Sequence, residues 1–478
     1  MLLLPLRARC PQGAAGWLAR APLLAVLTLA ACTLTPPYTR PPAPIPAAFA
    51  APDPTSPAAP TLGYATAFGD PRLIALIDRA LANNRDLAAS LARVEQARAQ
   101  FRIARASRFP ALGLSSAATT AQTSGAARGG SAAPIDYGYY TLALGVTQFE
   151  LDFWGRVRAL AAAARARYLA SDEASRAFQL SLIQQVATAY FSTRELTERL
   201  ALAERAIASR REAVRIAKLR LDAGVTSALD YTQVLVLLRQ AETEATILEN
   251  SRAQSENLLL TLTGGPGPGP LPDPLPIFSA GEVGAAAPGL PSALLLARPD
   301  IRAAEATLLA ANANIGTARA AFFPQISLTT ALGFASGSLG GLFGANGFTY
   351  SAGPSASLPI FSFGRMRANL RFAQAQRDEA VAAYQRTIQT AFQEAANGLA
   401  GRRWFAEQLR TQQLSRDTQR QRAHLAGLRY SNGVAGYLEV LDAERDLFAA
   451  EQAVVAVRGQ QLANAAQLYV ALGGGAVR

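Results

Sequence analysis

Apolar residues alternate strictly with small or polar ones in two stretches of the chain. Ile326, Leu328, Thr330, Leu332 and Phe334 alternate with Gln325, Ser327, Thr329, Ala331 and Gly333. Tyr140, Leu142, Leu144 and Val146 alternate with Thr141, Ala143, Gly145 and Thr147. A two-residue period over this length gives a strand one apolar face and one small or polar face, as in a transmembrane β-barrel. A soluble sandwich strand with one wet face has the same period. The aromatic residues favour the barrel. Phe149, Phe153 and Trp154 end one strand pair, and Phe361 and Phe363 end the other, beside arginines, where an interfacial girdle falls. Strands are expected at about 110–122, 138–151, 325–335 and 348–361, and the Gly-, Ser- and Ala-rich links 121–136 and 335–347 read as exposed loops.

Elsewhere the period is helical. Leu73, Leu76, Ile77, Ala80 and Leu81 open a helical stretch from about Asp70 to Ser107. Arg158 to Leu221 holds neither proline nor glycine, so a helix there is roughly 96 Å long at 1.5 Å per residue. It turns at Gly224 and returns to about Leu262. A second long helix is expected from Arg365 to Tyr430, interrupted by Gly398, Gly401 and Gly427, with a return from Tyr437 to about Leu472. No soluble globular core needs such lengths. An extended coiled coil has them, but leaves the strand pairs between the helices without an account.

These elements repeat. Ala104-Arg105-Ala106-Ser107-Arg108-Phe109-Pro110 corresponds to Ala318-Arg319-Ala320-Ala321-Phe322-Phe323-Pro324 at an offset of 214, which Asp86 and Asp300 share. Gly155-Arg156-Val157-Arg158-Ala159 matches Gly364-Arg365-Met366-Arg367-Ala368 at 209, as Gly224 matches Gly433. Three motifs in order imply an internal duplication whose length difference falls between Pro110 and Gly155. The copies span 70–262 and 291–472. Between them lies a Pro/Gly-rich linker, 263–290, and a tail follows at 473–478. Glycines alternating with prolines lack the N–H groups of a phosphate loop, so the linker reads as irregular chain.

Each hairpin tip carries its own stop and start signals. Gly224 and Gly433 stand where a helix ends in a left-handed residue, followed by Val225 and Val434. Ser227 and Asp230 form a capping-box pattern; Gly436 and Glu439 occupy the same places in the second copy. Gly155-Arg156 and Gly364-Arg365 mark the two strand-to-helix turns.

Residues 1–31 read as a signal peptide, with an arginine-bearing start and an apolar run, Leu23 to Ala31, too short to span a bilayer. Leu29-Ala30-Ala31-Cys32 resembles a bacterial lipobox, which makes Cys32 the expected lipidation site; ordinary cleavage would leave it a free thiol. Thr33 rather than Asp after the cysteine leans towards the outer membrane. Residues 32–69 are expected to form the lipidated start and a Pro-rich extended tether. With Cys10 in the discarded segment, a mature disulfide or thiol metal site is not expected.

Composition narrows the function. The net charge of +12 suggests a nucleic-acid partner, but the arginines are interleaved with Glu, Asp and Gln along helices, as on a solvated helical surface. The single histidine, His424, has no companion at metal-ligand spacing. No Walker-type phosphate loop and no nucleophile elbow occurs. No enzyme, cofactor, metal or nucleic acid is therefore expected. Four strands cannot close a barrel, and an open edge is not tolerated in lipid, so several chains must contribute.

At this point the residues resemble a family. Cys32 with Pro36-Pro37-Tyr38-Thr39-Arg40-Pro41, the Arg-Phe-Pro and Phe-Phe-Pro pair, Phe153-Trp154-Gly155-Arg156, Leu358-Pro359-Ile360-Phe361, and Arg429-Tyr430 through Asp442-Ala443 resemble the TolC-like outer-membrane efflux proteins, in the lipoprotein branch serving RND-type pumps. The resemblance covers essentially the whole mature chain. It implies a mixed α and β membrane protein: a homotrimer with a twelve-stranded β-barrel in the outer membrane of a Gram-negative bacterium, four strands per chain, continuous with a periplasmic α-helical barrel. It implies a periplasmic adaptor and an inner-membrane RND transporter as partners in drug efflux. It assigns Leu438 to the apolar constriction of the periplasmic aperture and Asp442, one turn on, to an acidic ring. Ser431 and Ala435 depart from some relatives, which puts any closed-state salt bridges at those positions in doubt. Type I secretion by the same fold, and a non-transporting coiled-coil lipoprotein scaffold, are the alternatives.

Overall fold

The computed structural model describes residues 33–46, 63–123, 135–267, 269–279 and 292–474. Cys32 and the signal segment lie outside them, as do most of the first strand link and the end of the 263–290 linker. In chain order the helices and strands are α1 (Tyr64–Phe68), α2 (Pro71–Asn83), α3 (Arg85–Ala106), β1 (Leu112–Thr123), β2 (Ile135–Glu150), α4 (Arg156–Asp222), α5 (Ala228–Leu262), α6 (Pro299–Ala320), β3 (Gln325–Ser336), β4 (Phe348–Ser357), α7 (Arg365–Ser431) and α8 (Tyr437–Ala471). The duplication appears in element lengths. Helices α4 and α7 each have 67 residues, α5 and α8 each 35, α3 and α6 each 22.

Three expectations need correction. The helical stretch from Asp70 breaks at Asn84, whose extended backbone ends α2 while its side-chain oxygen accepts the Leu87 N–H at 2.8 Å and caps α3. The tether ends earlier than 69, because Tyr64–Phe68 is helical and buries Tyr64 and Phe68. Gly398, Gly401 and Gly427 do not interrupt α7. At Gly398 a Cβ would stand 2.9 Å from Leu468, and at Gly401 it would strike the Asn464 amide, which donates to the Gly398 carbonyl at 3.0 Å. These two glycines serve close approach between α7 and α8, and the helix bears their propensity cost.

The described chain divides into two compact units. The first comprises residues within Met1–Pro41, Glu95–Ser171 and Ala304–Ala383. It holds one antiparallel sheet in the order β1-β2-β3-β4. Register places Leu114, Leu144, Leu332 and Tyr350 in one row on one face, and Gly113, Gly145, Ala331 and Ser351 in a row on the other. At this level the alternation read from β2 and β3 extends across all four strands; towards the other end Tyr137 and Tyr139 of β2 stand on the face of Gly145, and Ser116, Ala118 and Thr120 of β1 on the face of Leu144. A bulge between Val146 and Phe149, with Gln148 at φ 55°, re-aims the end of β2. Strand β4 ends at Ser357, short of the expected 361; Pro359 lacks the N–H a further ladder bond needs. Trp154 stacks on Phe323 at 4.6 Å and donates to the Pro324 carbonyl at 2.8 Å. Phe334, Phe343 and Phe348 cluster at the opposite end of the strands, so aromatic residues mark both ends. Edges β1 and β4 have no partner among the described residues.

In the same unit the extended residues Leu34 to Arg40 lie along α6. Arg40 bonds both carboxylate oxygens of Glu305 at 2.8 and 2.7 Å, the Tyr38 hydroxyl donates to Glu305 at 3.1 Å, and Asn312 donates to the Pro36 carbonyl at 2.9 Å. Gly316 lets Thr35 pass where a Cβ would block it.

The second unit comprises residues within Pro42–Val94, Asp172–Ala303 and Tyr384–Arg478. Its largest core packs Phe68, Leu73 and Ile77 against Ile183, Val186, Tyr190, Leu462 and Tyr469. Asp70 is buried there. It caps α2 by accepting the Arg72 N–H at 2.9 Å and accepts the Tyr190 hydroxyl at 2.8 Å. The duplicated copies tie down their returning helices at equivalent points. Asn84 donates to the Leu262 carbonyl at 2.9 Å and Arg298 to the Ala471 carbonyl at 2.8 Å, the last residues of α5 and α8.

Candidate gate at the helical tips

Both tips turn as their glycines demand. Gly224 has φ 72° and Gly433 φ 71°, a region open to glycine without a Cβ penalty. The Val225 N–H reaches back to the Arg220 carbonyl at 2.8 Å, and the Val434 N–H to the Arg429 carbonyl at 2.9 Å, satisfying end carbonyls of α4 and α7. Val225 and Val434 are exposed.

The tips differ in how the next helix starts. Ser227 and Asp230 form a complete capping box, with Asp230 N–H to Ser227 Oγ at 3.1 Å and Ser227 N–H to Asp230 Oδ2 at 3.2 Å. Hydrogen bonds from Ser227 and Thr226 hold the Asp230 carboxyl below its ordinary range. Gly436 has no side chain to cap α8; instead Glu439 pairs across the turn with Arg429 at 3.1 Å. An exposed ion pair contributes about 0–1 kcal/mol, against about 1 kcal/mol for a side-chain cap. The start of α8 is therefore the less firmly capped.

Contacts join the two hairpins. The Arg220 guanidinium donates to the Tyr430 hydroxyl and lies 5.7 Å from its ring centre, and Tyr430 packs on Tyr437 at 4.8 Å. Val234, Leu237 and Leu441 form a small core with Ala213, Val214, Ala217 and Tyr437 around it. Above this core Arg210 is buried, donates to the Leu237 carbonyl at 2.8 Å, and lies 5.1 Å from the Phe448 ring centre. Glu444 is the nearby carboxylate. Burial pushes the Glu444 carboxyl up, although Arg210 pulls the other way, and burial pushes Arg210 down although Glu444 opposes it. Desolvation wins on both sides, because the two groups attract without a direct ion pair. An acid with a raised folded pKa is stabilised by its proton, so packing here strengthens as pH falls from above the folded value towards the unfolded value, about 4.3. Glu444→Gln should raise the unfolding midpoint at pH 7, with the difference from wild type closing as pH falls towards that value. Thermal melts at several pH values read this directly; a difference independent of pH would contradict it.

Leu438 is exposed, and Asp442 follows one turn later on the same face. Asp442 is not a bare carboxylate. It pairs with Arg445 at 3.1 Å; Arg445 also pairs with Asp446 at 3.0 Å, and Asp446 with Arg422 of α7 at 2.6 Å. Arg445 was legible at i+3 from Asp442, but Arg422 was not, since it arrives from another helix. Ser431 and Asn432 donate to the Leu428 carbonyl at 3.0 and 2.7 Å, so these polar side chains finish α7.

The strand-to-helix turns belong to the other unit. Gly155 has φ 74° and Gly364 φ 83°. Arg156 pairs with Glu150 at the end of β2, and Arg158 with Asp152 at 3.5 Å, closing the first turn. Arg365 is exposed and has no ion-pair partner among the described residues.

Among the described residues no group of three His, Cys, Asp or Glu could hold a metal ion, and no helix is long and apolar enough to cross a membrane. Comparison with known proteins gives a consistent result. A family profile described as outer membrane efflux protein matches residues 76–265 and 290–474. The solvent efflux pump outer membrane protein SrpC of Pseudomonas putida is 42% identical over 466 residues, 95% of this chain and 97% of that protein. The outer membrane protein OprJ of Pseudomonas aeruginosa is 39% identical over 455 residues, 95% of each chain. The open state of the Neisseria gonorrhoeae MtrE outer membrane channel superposes with a TM-score of 0.86 at 37% identity, covering 94% of this chain and 99% of that one.

Proposed function

We infer the function from one premise: the chain belongs to the outer membrane efflux protein family. It is an outer-membrane efflux channel. The finer reading is that three copies each supply four strands to one twelve-stranded barrel and that the helical tips meet a periplasmic adaptor and an RND-type transporter. The channel is passive and passes small molecules such as drugs or solvents. A lipid on Cys32 anchors the chain.

One observation carries this reading. The sheet has apolar rows on one face, rows of Gly, Ala and Ser on the other, and two edges that are unpaired among the described residues. In lipid such edges must pair, and copies of the same sheet joined β4 to β1 remove them all. The apolar rows then face lipid and the Gly-, Ala- and Ser-bearing rows line a wide bore. The docked strap at Leu34 to Arg40 supports anchoring at Cys32, because it fixes the chain just after that residue.

The test is conductance of the purified protein in a planar bilayer, alongside its size in detergent. A heat-modifiable trimer with conductance is expected, and Asp442→Ala should raise the leak at matched protein level, since it breaks the Asp442–Arg445 pair and removes an acidic group from the aperture. A monomer without conductance overturns the channel reading. A conducting trimer indifferent to Asp442→Ala removes Asp442 from the gate.

A further inference from the structure

The duplication supplies an internal control at the base of the sheet. At the 209-residue offset Arg156 and Arg158 correspond to Arg365 and Arg367. Their carboxylate partners, Glu150 and Asp152, correspond to Pro359 and Phe361. The second turn keeps both cations and has lost both anions. Arg365, Arg367 and Arg371 are exposed, and none has an ion-pair partner among the described residues. Ile360, Phe361 and Phe363 beside them are 93%, 75% and 91% exposed.

The opposite edge of the sheet repeats this composition. Strand β1 starts at the same end of the sheet where β4 stops. The chain enters it through exposed Arg102, Arg105 and Arg108, likewise without ion-pair partners among the described residues, and through exposed Ile103 and Phe109. The sequence has no Asp or Glu between Glu95 and Asp136, nor between Glu305 and Asp378. A second copy joined at this edge therefore brings three more arginines from a stretch of chain that holds no carboxylate of its own. Six guanidinium groups at one seam repel one another unless an anion lies between them. The exposed aromatic and aliphatic side chains beside them suit an anion that carries an apolar part.

We propose that the seam between copies, formed by Arg365, Arg367 and Arg371 on one side and Arg102, Arg105 and Arg108 on the other, binds the phosphate headgroups of anionic phospholipids, whose acyl chains cover Ile103, Phe109, Ile360, Phe361 and Phe363. This rests on the closure of the barrel by copies of the chain. Guanidinium forks suit phosphate geometry, and basic residues at a membrane surface attract anionic lipid.

The experiment is native mass spectrometry of the detergent-purified protein titrated with phosphatidylglycerol, phosphatidylcholine or inorganic phosphate. The wild-type oligomer should retain phosphatidylglycerol in preference to phosphatidylcholine, and inorganic phosphate should not displace it at equal concentration. Pro359→Glu with Phe361→Asp restores the partners of the first repeat and leaves every arginine in place. It should reduce the preference about as far as removal of Arg365 and Arg367 does. R365Q with R367Q should weaken phosphatidylglycerol binding by about fivefold per arginine. Retention of the preference in both variants, in oligomers of wild-type size, overturns the proposal. Displacement by inorganic phosphate alone would make the seam a general anion site and also overturn it. A wild-type protein that is monomeric defeats the channel reading instead.

Discussion

Arg298→Ala lowers the unfolding free energy by about 3 kcal/mol, at the lower end of what breaking a buried ion pair costs. Arg298 is only 7% exposed. Its guanidinium donates to Asp300 at 3.1 and 2.8 Å, to Glu394 at 2.8 Å and to the Ala471 carbonyl at 2.8 Å. Burial alone would lower its pKa, but Asp300 and Glu394 more than offset this, so it stays charged. Truncation leaves two carboxylates without their cation and the last carbonyl of α8 without its donor. The carboxylates are partly exposed, which keeps the cost near the lower limit. Thermal loss of helical circular dichroism in detergent measures it. Arg298→Lys keeps the charge but not the forked geometry and should fall between the two. A midpoint unchanged in Arg298→Ala would show that these contacts are of no consequence.

Leu441→Ala should raise leak conductance at least tenfold, while Tyr430→Phe should raise it about fivefold or less. Leu441 is buried with Val234 and Leu237 where α8 packs on α5, and truncation of a buried leucine costs about 2–5 kcal/mol. Tyr430→Phe removes one exposed hydrogen bond to Arg220, worth about 1 kcal/mol, and keeps the ring on Tyr437. If opening separates the tips of one chain, each lost contact favours the open state by its own free energy, at tenfold per 1.4 kcal/mol. Single-channel recording at matched protein level compares them. Equal leak in the two variants, or none in Leu441→Ala, means that the hairpins move as one body.

The sequence made the tip turns readable because their causes are local. Gly224 and Gly433 need no distant partner to adopt positive φ, and Ser227 reaches Asp230 within one turn. The partners from other helices were not readable. Arg422 meets Asp446 and Arg220 meets Tyr430 only after the long helices have been brought side by side. Gly398 and Gly401 show the same limit from the other side. Read alone, a glycine in a helix suggests an interruption; packed against Leu468 and Asn464, it is the residue that permits the contact.

By itself the sequence determined the duplication, the helix and strand types, and the need of a four-stranded sheet for copies of itself, because these follow from period, spacing and the hydrogen-bonding demands of the backbone. Tertiary structure decided that Arg156 meets Glu150 while Arg365 has no ion-pair partner among the described residues, that Asp446 meets Arg422 of α7, and that Arg298 holds the end of α8. Ion pairs three or four residues apart on one helix follow from separation in sequence, whereas pairs between helices depend on which side chains packing brings within a few ångströms.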